Sequence, residues 1–176
     1  MDRKVILETE RLLLREFVGE DAGFIFRLLN SPGWLKFIGP RGIQTEENAK
    51  DYINSKLRKA YAELGFGFYL IELKSTGESV GMCGLVKREG LDDVDVGFAL
   101  LPEFEGMGYA YDAAAAIVEY AGKTLHIKTL SAITIPGNKS SISLLEKIGL
   151  RFSKMIRIPN DPEELMLFTN HQSIKP

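Results

Sequence analysis

The residues with the clearest chemistry lie between Asp95 and Asp112. The stretch predicts a strand, a stop at Pro102, a turn holding Gly106 and Gly108, and the start of a helix rich in small residues. The first N–H groups of a helix have no intrahelical acceptor, and the helix dipole puts partial positive charge there. A glycine turn feeding such a helix offers a cup of backbone N–H groups to phosphate oxygens. The chain is therefore expected to hold a ligand carrying a phosphate or pyrophosphate. Taken alone, the two glycines fit a plain tight turn equally well.

Other reactive residue types read more quietly. Cys83 is the sole cysteine, so an intrachain disulfide is impossible, and its mid-strand position suits a small buried residue. His126 and His171 have no carboxylate or cysteine at ligand spacing, so no metal is expected. Tyr109 and Tyr111 suit packing or surface positions. Asn138 is a natural N-cap, and Ser141 fits the first turn of the helix that follows.

The elements around these residues follow from periodicity. Leu12 to Phe17 predicts a short strand. Gly19-Glu20-Asp21 opens a helix with Phe24, Ile25, Leu28 and Leu29 on one face, and Ser31-Pro32-Gly33 ends it. Trp34 to Gln44 reads as irregular, with Trp34 either a core anchor or the wall of a pocket. Thr45-Glu46-Glu47 starts a helix reaching about Leu64. Phe66–Leu73 and Ser79–Val86 alternate with period two around the turn at Ser75–Glu78, which predicts a hairpin. Val94–Leu100 is a third strand. A helix over Gly108–Gly122 carries Ala110, Ala113, Ala114, Ile117, Val118 and Ala121 at helical spacing, small enough to lie close on a sheet. Then come a strand at Lys128–Ile135, a helix from Asn138 to Ile148 stopped by Gly149, and strands near Arg151–Ile156 and Glu164–Phe168. This order predicts a mixed α/β fold with helices on both faces of the sheet.

The bulk numbers bound the function. A chain of 176 residues with 45% hydrophobic content suits a single domain over residues 1–176. The 22 basic and 24 acidic residues give a net charge of −2, which argues against a dedicated nucleic-acid binder. No apolar signal segment opens the chain, and no apolar run approaches the roughly 20 residues of a membrane span. A soluble, cytoplasmic protein with no membrane partner is expected.

These motifs resemble a known family. Gly106-Met107-Gly108-Tyr109-Ala110, preceded by Leu101-Pro102-Glu103-Phe104, resembles the acetyl-coenzyme A pyrophosphate loop of the GNAT superfamily of N-acetyltransferases. Asn138-Lys139-Ser140-Ser141, followed by Leu144 to Phe152, resembles the family's second coenzyme A element. Glu8-Thr9-Glu10-Arg11-Leu12-Leu13-Leu14-Arg15 is similar to the RimJ/RimL-type branch, which acetylates the N-termini of ribosomal proteins. The likeness spans about Leu7 to Thr169, with three matches in order and in the right element context.

The resemblance implies the acyl-CoA N-acyltransferase fold, a mostly antiparallel sheet in which two central parallel strands splay, here Val94–Leu100 and Lys128–Ile135. Pantetheine would then bond strand backbone at Phe98 and Leu100. The pyrophosphate would sit on backbone N–H groups of Glu105, Gly106, Met107, Gly108, Tyr109 and Ala110, while Asn138 would bond the pantetheine arm. The implied reaction is direct transfer of acetyl to an amine acceptor, a protein N-terminus or a small molecule, without a metal. A backbone N–H near Phe98 would polarise the carbonyl. Asp95, where the branch often has Glu, would take the amine proton, and Ser141 would protonate the thiolate. Two features depart from the family pattern. Glu103, Glu105 and Asp112 surround the loop with no Lys or Arg among them, leaving backbone dipoles with Lys139 or Arg88 as distant help. Leu145 stands where many members carry a tyrosine acid.

The acceptor pocket would be built from Trp34–Gln44 and Arg157–Glu164, and a homodimer is compatible with the sequence. Two other function classes bear on the same residues. A catalytically silent acyl-CoA-binding sensor would keep the same loop. A dinucleotide-dependent oxidoreductase would need a three-glycine fingerprint with an acidic residue about 20 positions on, and that pattern is absent.

Overall fold

The structure, a computed structural model, describes residues 2–171. Eight strands form one sheet in the order β1-β2-β3-β4-β5-β6-β8-β7. They are β1 (Val5–Glu8), β2 (Leu12–Arg15), β3 (Phe68–Leu73), β4 (Ser79–Val86), β5 (Val94–Leu100), β6 (Leu130–Thr134), β7 (Arg151–Ile156) and β8 (Leu165–Thr169). Every neighbouring pair is antiparallel except β5 and β6. That parallel pair matches at Val94 with Leu130 and Asp95 with Ser131 and nowhere further along, so the strands part after two rungs. The expected splay is present.

Helices cover both faces. Alternation along β3 sends Leu70 to one side and Ile71 to the other. Ile71, Val96, Leu130 and Ala132 pack with Ala113, Ala114, Ile117 and Ala121 of α5 (Tyr109–Lys123) and Leu145 of α6 (Lys139–Lys147). The four small or branched residues of α5 are fully buried, which lets the helix axis lie close to the strands. Leu70, Met82 and Leu101 pack on the opposite face with Ile25, Leu28 and Leu29 of α1 (Ala22–Leu29), Trp34 of α2 (Pro32–Phe37) and Ala49 of α3 (Glu46–Tyr52). Each fully buried leucine or isoleucine removes enough apolar surface to contribute about 1.5–3 kcal/mol.

Three local findings refine the sequence reading. β1 is an additional edge strand, too short for alternation to reveal. α1 ends before Ser31-Pro32-Gly33 as expected, and Pro32 also begins α2 within a stretch read as irregular, because proline suits the first helical position where its missing N–H is not needed. The helix expected from Thr45 to Leu64 forms with a π-helical stretch, Ile53–Arg58, before its last segment α4 (Lys59–Leu64). Thr45 caps it by accepting the Asn48 N–H at 3.0 Å, and Gly65, with φ of 78°, stops it.

The segment 8–15 is tied into the fold by its charges. Arg15, 1% exposed, donates to both carboxylate oxygens of Asp21 at 2.8 Å and to Glu72 at 2.8 Å. Asp21 also accepts the Val18 N–H at 2.9 Å, so β2, the entry to α1 and β3 are held by one buried group. Removing one partner of such a pair typically costs 3–5 kcal/mol, because it strands a desolvated charge.

Candidate active site

The glycine turn is held in a conformation that leaves its amides free. Gly106 and Gly108 have φ of 76° and 81°, a region that residues with a Cβ rarely enter. Phe104 and Glu105 donate back to Leu101 and Pro102 at 3.0 and 3.2 Å, and Asp112 donates to Gly108 at 3.1 Å. Between them, every N–H from Gly106 to Tyr111 lacks an acceptor among the described residues. A run of free donors at the start of a helix is an anion cradle.

The acidic surroundings are neutralised by residues distant in sequence. Arg27 of α1 pairs with Glu103 at 2.6 Å. Arg11, in the turn between β1 and β2, grips Asp112 through Nε at 2.8 Å and Nη2 at 2.7 Å. Its Nη1 donates to the Met107 carbonyl at 2.9 Å, and its guanidinium lies over the Tyr109 ring at 4.7 Å. Arg11 therefore withdraws both a carboxylate and a carbonyl from the cup while adding positive charge beside it. Glu105 is exposed and turns its carboxylate toward Gly33 of α2. Arg88 is not near this turn in function, since it is committed to Asp95. Lys139 is exposed at the start of α6.

The splayed edge lies beside this cup. Leu101 donates to Val80 at 2.9 Å, so the strand alternation turns the N–H and C=O groups of Phe98 and Leu100 the other way, toward β6. No rung with β6 uses them. Across the gap, Asn138 caps α6 by accepting the Ser141 N–H at 3.3 Å. The capping reading of Asn138 thus holds, and Ser141 is half-buried in the first turn. Leu145 is 1% exposed within the α5–α6 core and has no hydroxyl to offer a departing thiolate.

Asp95 is buried near the start of β5. It is 1% exposed, with Arg88 Nε on its Oδ2 at 2.8 Å and no partner for its Oδ1 among the described residues. Burial pushes its carboxyl up to about 6, against the pull of Arg88. Two positions along the same face, Gly97 leaves room for the Phe68 ring, which a Cβ there would meet at 2.7 Å. Burial likewise raises the phenol of Tyr52, while Arg41 and Arg88 beside it pull it down.

The two expected pocket segments divide. Trp34 is 6% exposed and donates to the Gly39 carbonyl at 3.0 Å, a core anchor, with Arg41 over its ring at 5.8 Å. Ile158 and Pro159, between β7 and β8, pack against Gly90 in the turn between β4 and β5, so that loop roofs the Asp95 side of the sheet. Cys83 is buried, and desolvation raises its thiol well above the ordinary range, which makes it unreactive. His171 meets Asp93 at 2.8 Å, a pairing that sequence spacing did not reveal. Nor does spacing in the sequence signal the roles of Arg11 and Ser131.

Residues 11–151 match the acetyltransferase (GNAT) domain, and the chain belongs to that family. It is an acetyltransferase by family and an α/β protein of the acyl-CoA N-acyltransferase fold. The uncharacterised protein YkkB of Bacillus subtilis (strain 168) is 33% identical over 167 residues, covering 92% of this chain and 94% of YkkB. The crystal structure of an acetyltransferase from Agrobacterium tumefaciens str. C58 is 28% identical with a TM-score of 0.80, covering 98% of this chain and 96% of that one. RimL, the ribosomal L7/L12 alpha-N-protein acetyltransferase in complex with coenzyme A, shares the fold at 15% identity, with a TM-score of 0.79 over 94% of this chain and 97% of RimL. Among the described residues, no helix is long and apolar enough to cross a membrane.

Proposed function

We propose that the protein moves an acetyl group from acetyl-coenzyme A to a primary amine, a protein N-terminus or a small molecule, by direct transfer in a ternary complex. The observation that carries this reading is the run of unpaired amides from Gly106 to Tyr111, opening beside the unpaired backbone of Phe98 and Leu100. The first group suits a pyrophosphate and the second an extended amide-bearing chain. The fit extends to charge, because Arg11 and Arg27 neutralise two of the three nearby carboxylates.

Bound acetyl-coenzyme A supplies an activated thioester carbonyl. The chain's own residues then have three tasks. The amides of Gly106–Ala110, with Asn138, orient the donor, a positioning effect worth up to about 7–11 kcal/mol when both reactants are held. The Phe98 N–H, which no rung with β6 uses, is the donor assigned to the carbonyl oxygen as it gains charge. Asp95, ionised near neutral pH, accepts the proton that the amine must lose, and Ser141 supplies a proton or hydrogen bond to the departing sulfur.

Calorimetry with coenzyme A, followed by thiol release with acetyl-coenzyme A and a panel of peptides and small amines, tests this reading. Saturable binding with turnover on at least one amine supports it. Binding without turnover on any amine replaces it with a coenzyme A sensor. Absence of binding at millimolar concentration rejects both.

A further inference from the structure

Two buried polar side-chain atoms have no hydrogen-bond partner among the described residues, Asp95 Oδ1 and Ser131 Oγ. Buried polar groups are rarely left unpaired, and each exception calls for an explanation. These two are not scattered. Asp95 and Ser131 are register partners on the parallel strands β5 and β6, at the last rung before the strands part. Their side chains share one face of the sheet, because Leu130 and Ala132, on either side of Ser131, pack into the α5–α6 core on the other. Register neighbours stand about 5 Å apart across a sheet, the space of one small polar group between their tips.

An approach to this point exists. Ser131 is 3% exposed yet lines a cavity of about 250 Å³. Leu91, Ile156 and Leu167 supply apolar wall, and the Asp93–His171 pair also lines the cavity. Ser131 therefore opens to this cavity, and its rung with Asp95 is the last before the splayed gap beside Phe98.

We propose that Ser131 is a catalytic residue, its Oγ and Asp95 Oδ1 holding the two hydrogens of a primary amine so that the nitrogen lone pair faces the splayed gap. This rests on the acetyl-transfer reading above and goes further by assigning a role to Ser131 and a reason for primary amines. An ammonium gives one proton to the Asp95 carboxylate, whose free oxygen is Oδ1, and Asp95 releases that proton to solvent through the cavity, so that Oδ1 is an acceptor again before transfer. The neutral nitrogen then keeps two hydrogens, one for each oxygen. Its lone pair forms the C–N bond to the acetyl carbon as the C–S bond breaks. The nitrogen loses a second proton, the sulfur gains one, and one proton is released overall. A secondary amine has a single hydrogen at that stage and leaves one buried oxygen unpaired.

The test compares wild type with Ser131→Ala and Ser131→Thr on an accepted amine and its N-methyl derivative. Wild type is expected to favour the primary amine about 10- to 100-fold, the effect of one unpaired buried acceptor. Ser131→Ala should lower kcat for the primary amine by a similar factor and bring the preference toward one. Its thermal midpoint should hold or rise, because the hydroxyl removed has no partner, and its coenzyme A affinity should not change. Ser131→Thr, which keeps the oxygen, should recover the preference. An unchanged kcat in Ser131→Ala, an equal fall with both amines, or a wild type indifferent to N-methylation overturns the proposal while leaving acetyl transfer standing. A wild type that acetylates no amine overturns the transfer reading itself.

Discussion

Arg11 and Asp112, 101 positions apart in sequence, meet through Nε and Nη2 at 2.8 and 2.7 Å, and the same guanidinium holds the Met107 carbonyl at 2.9 Å. The turn between β1 and β2 thereby fixes the turn before α5. Arg11→Ala is expected to leave the fold within about 1 kcal/mol of wild type, since the pair is partly solvated. Coenzyme A affinity should fall roughly tenfold, because Asp112 and the Met107 carbonyl would then face the ligand unopposed. Calorimetry beside a thermal melt separates the two effects, and an unchanged affinity would remove Arg11 from the binding turn.

That relationship also marks what the sequence could and could not convey. Gly106, Gly108 and Asn138 were legible because each serves a local backbone need, and local needs leave a pattern in spacing. The splay at Val94 and Leu130 was legible through family likeness. Arg11 was not, because nothing near it in sequence signals a partner a hundred residues away. Ser131 carried no signal at all, since its interest lies in its register partner and its lack of a bond. Pro32 was legible as the end of α1 but not as the start of α2, because proline serves both places and the short α2 is held by the packing of Trp34.

Asp95 ties stability to pH. Its folded-state pKa of about 6 lies above the ordinary 3.8, so the native protein keeps a proton that the unfolded chain has lost. Stability from this group is full below about pH 4 and falls as pH rises toward 6, by about 3 kcal/mol in all. Asp95→Asn should therefore be more stable than wild type at pH 7, by about 1–3 kcal/mol once the altered bond to Arg88 is included. Its denaturation midpoint should lose the slope between pH 4 and 6.

The same group sets the rate profile if it takes the amine proton. Turnover should rise through a midpoint near pH 6, and Asp95→Asn should be slower by about 10²–10⁴ with that limb absent. Arg88 is the cation on the carboxylate, so Arg88→Gln should move the midpoint upward. A midpoint unaffected by Arg88→Gln would assign the limb to another group.

Ser141 and Leu145 divide the question of the acid. Ser141→Ala is expected to lower turnover about tenfold or more while coenzyme A affinity stays within a few fold, because its N–H to Asn138 is a backbone bond that the substitution keeps. Leu145→Tyr should not restore the loss. It forces a larger, hydroxylated side chain into a core site that is 1% exposed, and should destabilise the protein by about 1–3 kcal/mol. Steady-state kinetics of the single and double variants decide the matter; recovery in the double variant would show that a tyrosine there reaches the sulfur.

The two turn glycines separate backbone strain from contact. A Cβ at Gly106 would meet nothing within 4 Å, so Gly106→Ala carries only the strain of a φ of 76°, about 1 kcal/mol. At Gly108 the φ is 81° and a Cβ would stand 3.1 Å from Arg11 Nη2, the atom that pairs with Asp112. Gly108→Ala should thus add displacement of Arg11 to the same strain, and lose more coenzyme A affinity than Gly106→Ala. Gly122, late in α5 with open space around it and no positive φ, is the control, and Gly122→Ala should be neutral or stabilising by up to about 1 kcal/mol. Equal loss of affinity at 106 and 108, measured by calorimetry, would mean that the free amides act without help from Arg11.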